Sequence, residues 1–400
     1  MAIKLSNRTT LIKPSPTLTL SAKAKEMKDA GIDVINFGVG EPDFNTPDYI
    51  KNSAHKAIDA NFTRYTANAG IIELRKAICA KLKRDNNLDY DPKQILVSPG
   101  AKASIVNILI AVCDNYDQIL LPKPYWVSYP YQAMLADAEP VYIPTTEASL
   151  YKIKPESLEY AIRENPCAKV LIMNSPSNPT GTVYSREELT AIADVCIKHN
   201  ILVISDEIYE RLVYDGIEHV SIASVRPEMK ELTVVINGVS KAYAMTGWRL
   251  GYAAGPLHII SAAGRVQEHA TSCVNSITQK ACVTALEEED DTIEYMRGEF
   301  EKRRNYLYDE LCKIPHITCF KPQGAFYIMP NIEWYLKNNR LGINDADKFC
   351  EVLLDKYHVA LVAGGSFGID GAVRFSYANS LDNLSKGVSR FAAFLQELGG

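Results

Sequence analysis

The chain is 400 residues long and 47% apolar, enough to enclose one large core and a smaller second domain. Its 43 basic and 48 acidic residues leave a formal charge of −5 without any basic run, so neither nucleic acid nor an anionic membrane surface is expected as a partner. Nine cysteines (Cys79, Cys113, Cys167, Cys196, Cys273, Cys282, Cys312, Cys319 and Cys350) show no metal-ligand spacing; with no signal-peptide core and no membrane-length apolar run, a soluble cytoplasmic protein with buried reduced thiols, working on small molecules, is expected.

From the N-terminus, a polar arm with Pro14 and Pro16 leads into a helical pattern over 18–27. Residues 34–37 read as a short strand running into Gly38-Val-Gly40-Glu-Pro-Asp43. A Gly-x-Gly after a strand suggests a dinucleotide site, but Asp43 replaces the third glycine, and Pro42 and Pro47 oppose a helix start. Leu74, Ala77, Ile78 and Leu82 recur at helical spacing and predict an amphipathic helix over 71–84 with a basic outer face, preceded by a loop carrying Tyr65. Residues 94–98 form a strand, Pro99-Gly100-Ala101-Lys102 a turn, and Ile105, Ile108, Leu109 and Val112 the stripe of a helix. That order leaves backbone N–H groups free at a helix N-terminus, a site suited to phosphate, although an ordinary strand-to-helix turn reads the same way.

The alternation continues with a strand at 119–121, a loop bearing Trp126, strands at 138–143 and 169–174, a helix opened by the capping box Ser185-Arg-Glu-Glu188, and a strand at 201–206. Strands separated by helices predict a mostly parallel sheet, whose ligand sites lie at the carboxyl ends of the strands. Asn178 and Asp206 fall at two such ends. A carboxylate buried there needs a partner; an aspartate that caps the next helix is the alternative.

Residues 233–236 form a further buried strand, and just beyond it Lys241 sits among small and hydroxyl-bearing residues. A desolvated lysine loses its proton easily and becomes a nucleophile toward aldehydes, whereas a lysine that ends a strand in water does nothing. Arg249 adds a planar fork of donors for phosphate or carboxylate. An amine and an anion clamp together suggest a phosphorylated aldehyde, for which pyridoxal phosphate is the candidate.

Ser240-Lys241, followed by Gly247 and Arg249, resembles the cofactor-lysine signature of the class I aminotransferases, the fold-type I pyridoxal-phosphate enzymes related to aspartate aminotransferase. The resemblance implies a mostly parallel seven-stranded sheet sandwiched by helices, with a smaller α+β domain; the expected division is 1–47 as arm and small-domain segment, 48–292 as the large domain and 293–400 as the small one. It assigns Ala101, Lys102, Ser240 and Arg249 to the phosphate, with Tyr65 reaching it from the other subunit of a homodimer. Trp126 would stack on the pyridine ring, Asp206 would keep the ring nitrogen protonated, and Asn178 and Tyr209 would meet the ring oxygen. Gly40, Trp126 and Asn178 would line the substrate. Many relatives carry a serine three residues before the lysine, where this chain has Gly238, so the phosphate cup is expected to be weaker there or compensated by backbone.

Beyond 256, helical patterns run to 292 with a polar interruption at 270–276, and a long helix is expected over 293–311. From Thr318 short strands and helices alternate, ending in an amphipathic helix bearing Leu381, Leu384, Val388, Phe391 and Leu395. Within this part, Arg374 stands in an apolar strand over 372–377; it matches the family arginine that grips the substrate α-carboxylate, a surface-strand arginine being the alternative. Gly364-Gly-Ser366-Phe-Gly368 fits the hydrolase elbow literally, yet a strand follows it and no histidine lies beyond His358, and the seven histidines form no metal motif.

The implied reaction has two halves. An amino acid displaces Lys241 from the cofactor aldehyde, the freed amine moves the α-proton to the aldehydic carbon, and water releases a 2-oxo acid; a second 2-oxo acid reverses the sequence. Lys102 and Thr17 match positions of the branch that handles aspartate, glutamate and prephenate. Aspartate/glutamate transamination, with prephenate as a further acceptor, is therefore expected. Diaminopimelate, alanine or aromatic amino acids as donors remain open, as does a lyase reaction on the same cofactor. A cofactor-binding regulator fused to a DNA-binding module is not expected, because the chain starts with the family's own arm.

Overall fold

Among the described residues seven strands make the central sheet, ordered in space Ile95–Ser98, Gly251–Ala254, Thr233–Gly238, Leu202–Asp206, Ala168–Asn174, Gln118–Pro122 and Glu139–Ile143. All run parallel except Gly251–Ala254, which is antiparallel to both neighbours. The computed structural model describes residues 3–288 and 291–399. Both faces of the sheet are covered, which is why its middle strands are continuous branched apolar runs. Side chains alternate between the faces: Ile172, Ile204, Val234 and Ile236 share a cluster with helices Ala101–Val112 and Leu257–Ala270. Leu171, Met173 and Val203 pack with Pro155–Glu164 and Arg186–His199.

Local chemistry sets the element ends. Ser185 accepts from Glu188 N while its own N–H donates to the Glu188 carboxylate, so the capping box opens Arg186–His199 as expected. The polar interruption divides the 256–292 region into Leu257–Ala270 and Ser276–Glu287, the second capped by the Asn275 side chain. The first long helix extends to Pro16–Asp29, because a proline in the first turn removes an N–H that had no partner there. Residues 364–367 form a single 3-10 turn before the Val373–Ser376 strand, so the elbow pattern has no helix.

Two expectations need correction. The helix expected over 71–84 spans Ile72–Asn86; Lys76, Lys83 and Arg84 give it the basic outer face, but Lys81 lies on its apolar stripe, buried, its ammonium held by Glu210 and by Asn86 Oδ1 at 2.7 Å. A charge left alone there would be costly, so the pairing is what lets a lysine sit inside. The nine free cysteines are also not all buried, since Cys167 and Cys312 are exposed. Periodicity puts Lys81 on the buried stripe, seven residues after Leu74, but cannot name the distant carboxylate that receives it.

The C-terminal part builds a three-stranded antiparallel sheet with Val373–Ser376 between Val362–Ala363 and Tyr327–Ile328. Ile35–Asn36 pairs in parallel with Val359–Ala360, which carries the N-terminal segment over to this part. Helices Thr292–Cys312, Ala346–Tyr357 and Leu381–Gly399 close a core around Phe300, Leu307, Phe349, Phe391 and Phe394. No helix among the described residues is long and apolar enough to cross a membrane.

Candidate active site

The parallel strands end on one edge of the sheet, and their carboxyl ends supply the functional side chains. Ala101 and Lys102 follow Ile95–Ser98, Trp126 follows Gln118–Pro122, Asn178 follows Ala168–Asn174, Asp206 closes Leu202–Asp206 with Tyr209 just beyond, and Ser240 and Lys241 follow Thr233–Gly238. Arg249 precedes the antiparallel strand and so arrives at the same edge. From the C-terminal sheet comes Arg374, and from the N-terminal segment Thr17 and Gly40. All of these line one cleft of about 500 Å³. Tyr65 does not; it stands 92% exposed on the surface.

Lys241 is half-buried, its amine donating to the Gly40 carbonyl and lying 5.8 Å from the ring centres of Tyr209 and Phe326. It opens on the cleft rather than on bulk water. Desolvation by the cleft walls is the main reason its amine drops to about 8; Arg249 and Arg374 push the same way, against Glu41 and Asp206. A lysine this close to neutrality is a usable nucleophile and base near physiological pH.

Asp206 is buried and accepts from Tyr129 Oη at 2.7 Å and from Ile208 N at 3.2 Å. Burial raises it to about 6 in spite of those donors. The Ile208 contact closes a local turn and caps no helix, the next helical element being Ile222–Ser224, so the capping alternative is not realised. Asn174 braces this corner, donating to the Asp206 carbonyl at 2.9 Å and accepting from Asn178 N at 2.7 Å.

The Ala101–Val112 helix begins at Gly100, whose φ of 90° suits glycine. Gly238 and Gly251 face each other across the antiparallel pair. A Cβ on Gly251 would lie 2.2 Å from Ala101 N, and one on Gly238 would lie 2.8 Å from Gly251 Cα and 2.9 Å from the Leu250 carbonyl. The helix start therefore rests directly on glycine backbone. Arg249 is stationed at the same helix start, donating to the carbonyls of Thr246 and Pro99 at 2.9 and 3.4 Å. Helix N–H groups and a guanidinium make an anion site. Gly238→Ser is expected to cost about 2–3 kcal/mol of stability through this contact rather than add a donor, and a urea melt against the wild type checks it. An unchanged melt would mean the glycine is incidental.

Arg374 is almost fully buried. It donates to Asn178 Oδ1 and to the Gly38 carbonyl, both at 2.9 Å, while its ring neighbours Tyr327 and Phe367 lie 4.4 and 4.9 Å from the guanidinium. Its Nε has no partner, and no ion pair to a protein carboxylate occurs at Arg374 among the described residues. Burial lowers its pKa without discharging it. A buried fork with a spare donor calls for an anionic ligand. Lys102 lies 4.9 Å from the Trp126 ring centre, its ammonium pulled down first by burial and then by Arg249. Thr17 Oγ1 is 2.9 Å from Ser15 Oγ at the cleft.

Among the cleft residues that escape sequence reasoning are Glu41, Tyr129 and Tyr327. Glu41 lies only one place past Gly40 and accepts from Thr246 Oγ1 at 2.7 Å. Nothing in spacing marks two tyrosines among 22. The fold also gathers Glu207, Glu210 and His219, whose ligand atoms lie within 4.8 Å of one another, although the histidine spacing shows no motif. The Lys81 ammonium already sits on Glu210, and Ser205 and Ser221 donate to Glu207 at 2.8 and 2.6 Å, so this cluster is a buried ion-pair network behind Asp206. A groove of about 740 Å³ between Thr292–Cys312 and Leu381–Gly399 holds no comparable set, its Lys313 and Glu310 being paired with each other.

Fold and cleft together define an α/β enzyme built around a weakly basic amine, with a helix-borne anion site and a buried guanidinium. The description "Aminotransferase class I and II" matches residues 32–391. The chain is 46% identical to the aspartate aminotransferase of Bacillus subtilis (strain 168), covering 99% of this chain and 100% of that one. It is 44% identical to the aspartate/prephenate aminotransferase of Nitrosomonas europaea, covering 98% and 100%. The crystal structure of the aspartate aminotransferase from Rhizobium meliloti superposes with a TM-score of 0.95 at 39% identity, covering 99% and 100%. The chain belongs to the class I and II aminotransferases, and its reaction is transamination.

Proposed function

We propose that the chain moves the amino group between aspartate or glutamate and a 2-oxo acid, with pyridoxal 5'-phosphate held at Lys241 and prephenate as an additional acceptor. One observation carries the dicarboxylate assignment. The charged residues lining the cleft are four cations, Lys102, Lys241, Arg249 and Arg374, against two carboxylates, Glu41 and Asp206. One cation is claimed by a phosphate and one by the chemistry, which leaves two for a substrate with two carboxylates. The names of the Bacillus and Nitrosomonas relatives favour the same reading.

The residues fit the cofactor. Asp206, buried and without a guanidinium partner, suits a protonated ring nitrogen, and the Ala101–Lys102 helix start with Ser240 and Arg249 suits the phosphate. Trp126 offers a flat wall, and Tyr209 and Asn178 offer hydrogen bonds to the ring oxygen. When bound, pyridoxal phosphate supplies a carbonyl for the amino group and a ring that withdraws electrons from the substrate's α-carbon. Asp206, ionised, holds the proton on the ring nitrogen. Lys241 Nζ takes the proton from the α-carbon and returns it on the other side of the transfer. Arg374 orients the α-carboxylate, with Gly40 and Asn178 beside it, and Lys102 and Thr17 meet the distal end.

Tyr65 is read as serving the phosphate of a second copy in a homodimer, consistent with its exposure and its absence from the cleft of its own chain. The division into 1–47, 48–292 and 293–400 is supported by the pairing of Ile35–Asn36 with Val359–Ala360. Lys102→Leu tests the substrate. Loss of one charge-assisted hydrogen bond predicts kcat/KM for aspartate falling roughly 10- to 100-fold with alanine little changed. Steady-state assays with both donors decide it, and unaltered aspartate kinetics would sink the assignment.

A further inference from the structure

Tyr327 enters the cleft from the C-terminal sheet, where Ser376 is its partner on the strand that carries Arg374. It is fully buried. Its hydroxyl lies 3.0 Å from the Tyr209 hydroxyl, and its ring lies 4.4 Å from the Arg374 guanidinium. A Cβ on Gly40 would come within 3.3 Å of the same hydroxyl, which places Tyr327 beside the substrate's expected seat as well. One side chain therefore touches both the residue expected to meet the cofactor's ring oxygen and the residue expected to grip the α-carboxylate.

We propose that Tyr327 is a positioning residue for both: its hydroxyl donates to Tyr209, freeing the Tyr209 proton for the cofactor's ring oxygen, and its ring holds the Arg374 guanidinium in line with the substrate. The inference rests on the reading above that pyridoxal phosphate is held at Lys241.

A phenol has one proton to give. Were Tyr209 to donate to Tyr327, none would remain for the ring oxygen. Burial raises both phenols, and the Arg374 guanidinium, 4.4 Å from the Tyr327 ring, is the strongest downward pull on Tyr327. A donor behind a donor also strengthens the outer hydrogen bond, because each polarises the next. The ring does separate work: a cation held against an aromatic face keeps its fork oriented, and this needs no hydroxyl.

The two functions come apart in two variants. In cofactor-loaded Tyr327→Phe, the pH midpoint of the visible absorbance change should rise by about half a unit, because the bond that favours the deprotonated form is weakened. KM for aspartate should stay within about twofold, since the ring remains. Tyr327→Leu should show the same rise and in addition a KM increased roughly tenfold. Placed on a Tyr209→Phe background, Tyr327→Phe should move the midpoint no further, because the effect is relayed through the missing hydroxyl. A midpoint in Tyr327→Phe equal to or below the wild type overturns the proposal, as does a KM rise as large as that of Tyr327→Leu. If Tyr327→Leu does not fold, the cycle with Tyr209→Phe decides alone. A wild type that takes up no visible chromophore would instead overturn the cofactor reading, and this proposal with it.

Discussion

Lys241→Met is expected to lower the transamination rate by roughly ten-thousand-fold or more, since on the proposed reading the variant loses the amine that would move the α-proton and carry the cofactor. The same substitution should stabilise the cofactor-free protein. In the folded chain the amine titrates near 8, below its ordinary value of 10.5. Below about 8 both states hold the proton, so the full cost of burying an ammonium is present. Between about 8 and 10.5 the unfolded chain binds the extra proton and stability rises with pH, until above 10.5 the cost is gone. Lys241→Met, which keeps the volume and loses the Gly40 hydrogen bond, should therefore gain about 1–2 kcal/mol near pH 7 and little near pH 10. Chemical denaturation at the two pH values measures this. A variant no more stable than the wild type at pH 7 would mean that the amine is not desolvated.

Arg374→Ala is expected to raise KM roughly 100- to 1000-fold for aspartate and alanine alike, because both present the same α-carboxylate to a buried guanidinium. Part of that loss comes from Asn178 Oδ1 and the Gly38 carbonyl, which Arg374 satisfies at 2.9 Å each and which would be left unpaired. The contrast with Lys102→Leu carries the information. A change at Lys102 should separate the two donors, whereas a change at Arg374 should not. Initial rates with each donor, at saturating 2-oxo acid, give the comparison. If Arg374→Ala penalises aspartate alone, the guanidinium binds the distal carboxylate and the assignments of the two cations are exchanged.

Much of the large sheet is legible in the chain because most of its strands are short branched apolar runs closed by a turn, and the order of strands and helices restricts the topology to a doubly covered, mostly parallel sheet; Gly251–Ala254, reading Gly-Tyr-Ala-Ala, gives no such signal. Lys241, Asp206 and Arg374 stand out for a related reason: each is a charge at the end or in the middle of an apolar strand, where burial without a partner is costly. Lys81 shows the limit of that logic. It falls on the apolar stripe of its helix, seven residues after Leu74, where spacing shows a lysine out of place but not its partner, and only the approach of Glu210 from 129 positions away makes it a buried ion pair.

What the sequence determined by itself is the chemistry available: an amine, a guanidinium fork, a carboxylate and a glycine turn, each tied to a strand end by short-range pattern. Tertiary structure alone decided their company. It set Tyr129 against Asp206, Tyr327 between Tyr209 and Arg374, and Gly251 under the first turn of Ala101–Val112. Those contacts join residues 77, 118, 47 and 150 positions apart, and no local periodicity encodes which of many tyrosines or glycines a distant backbone will bring into reach.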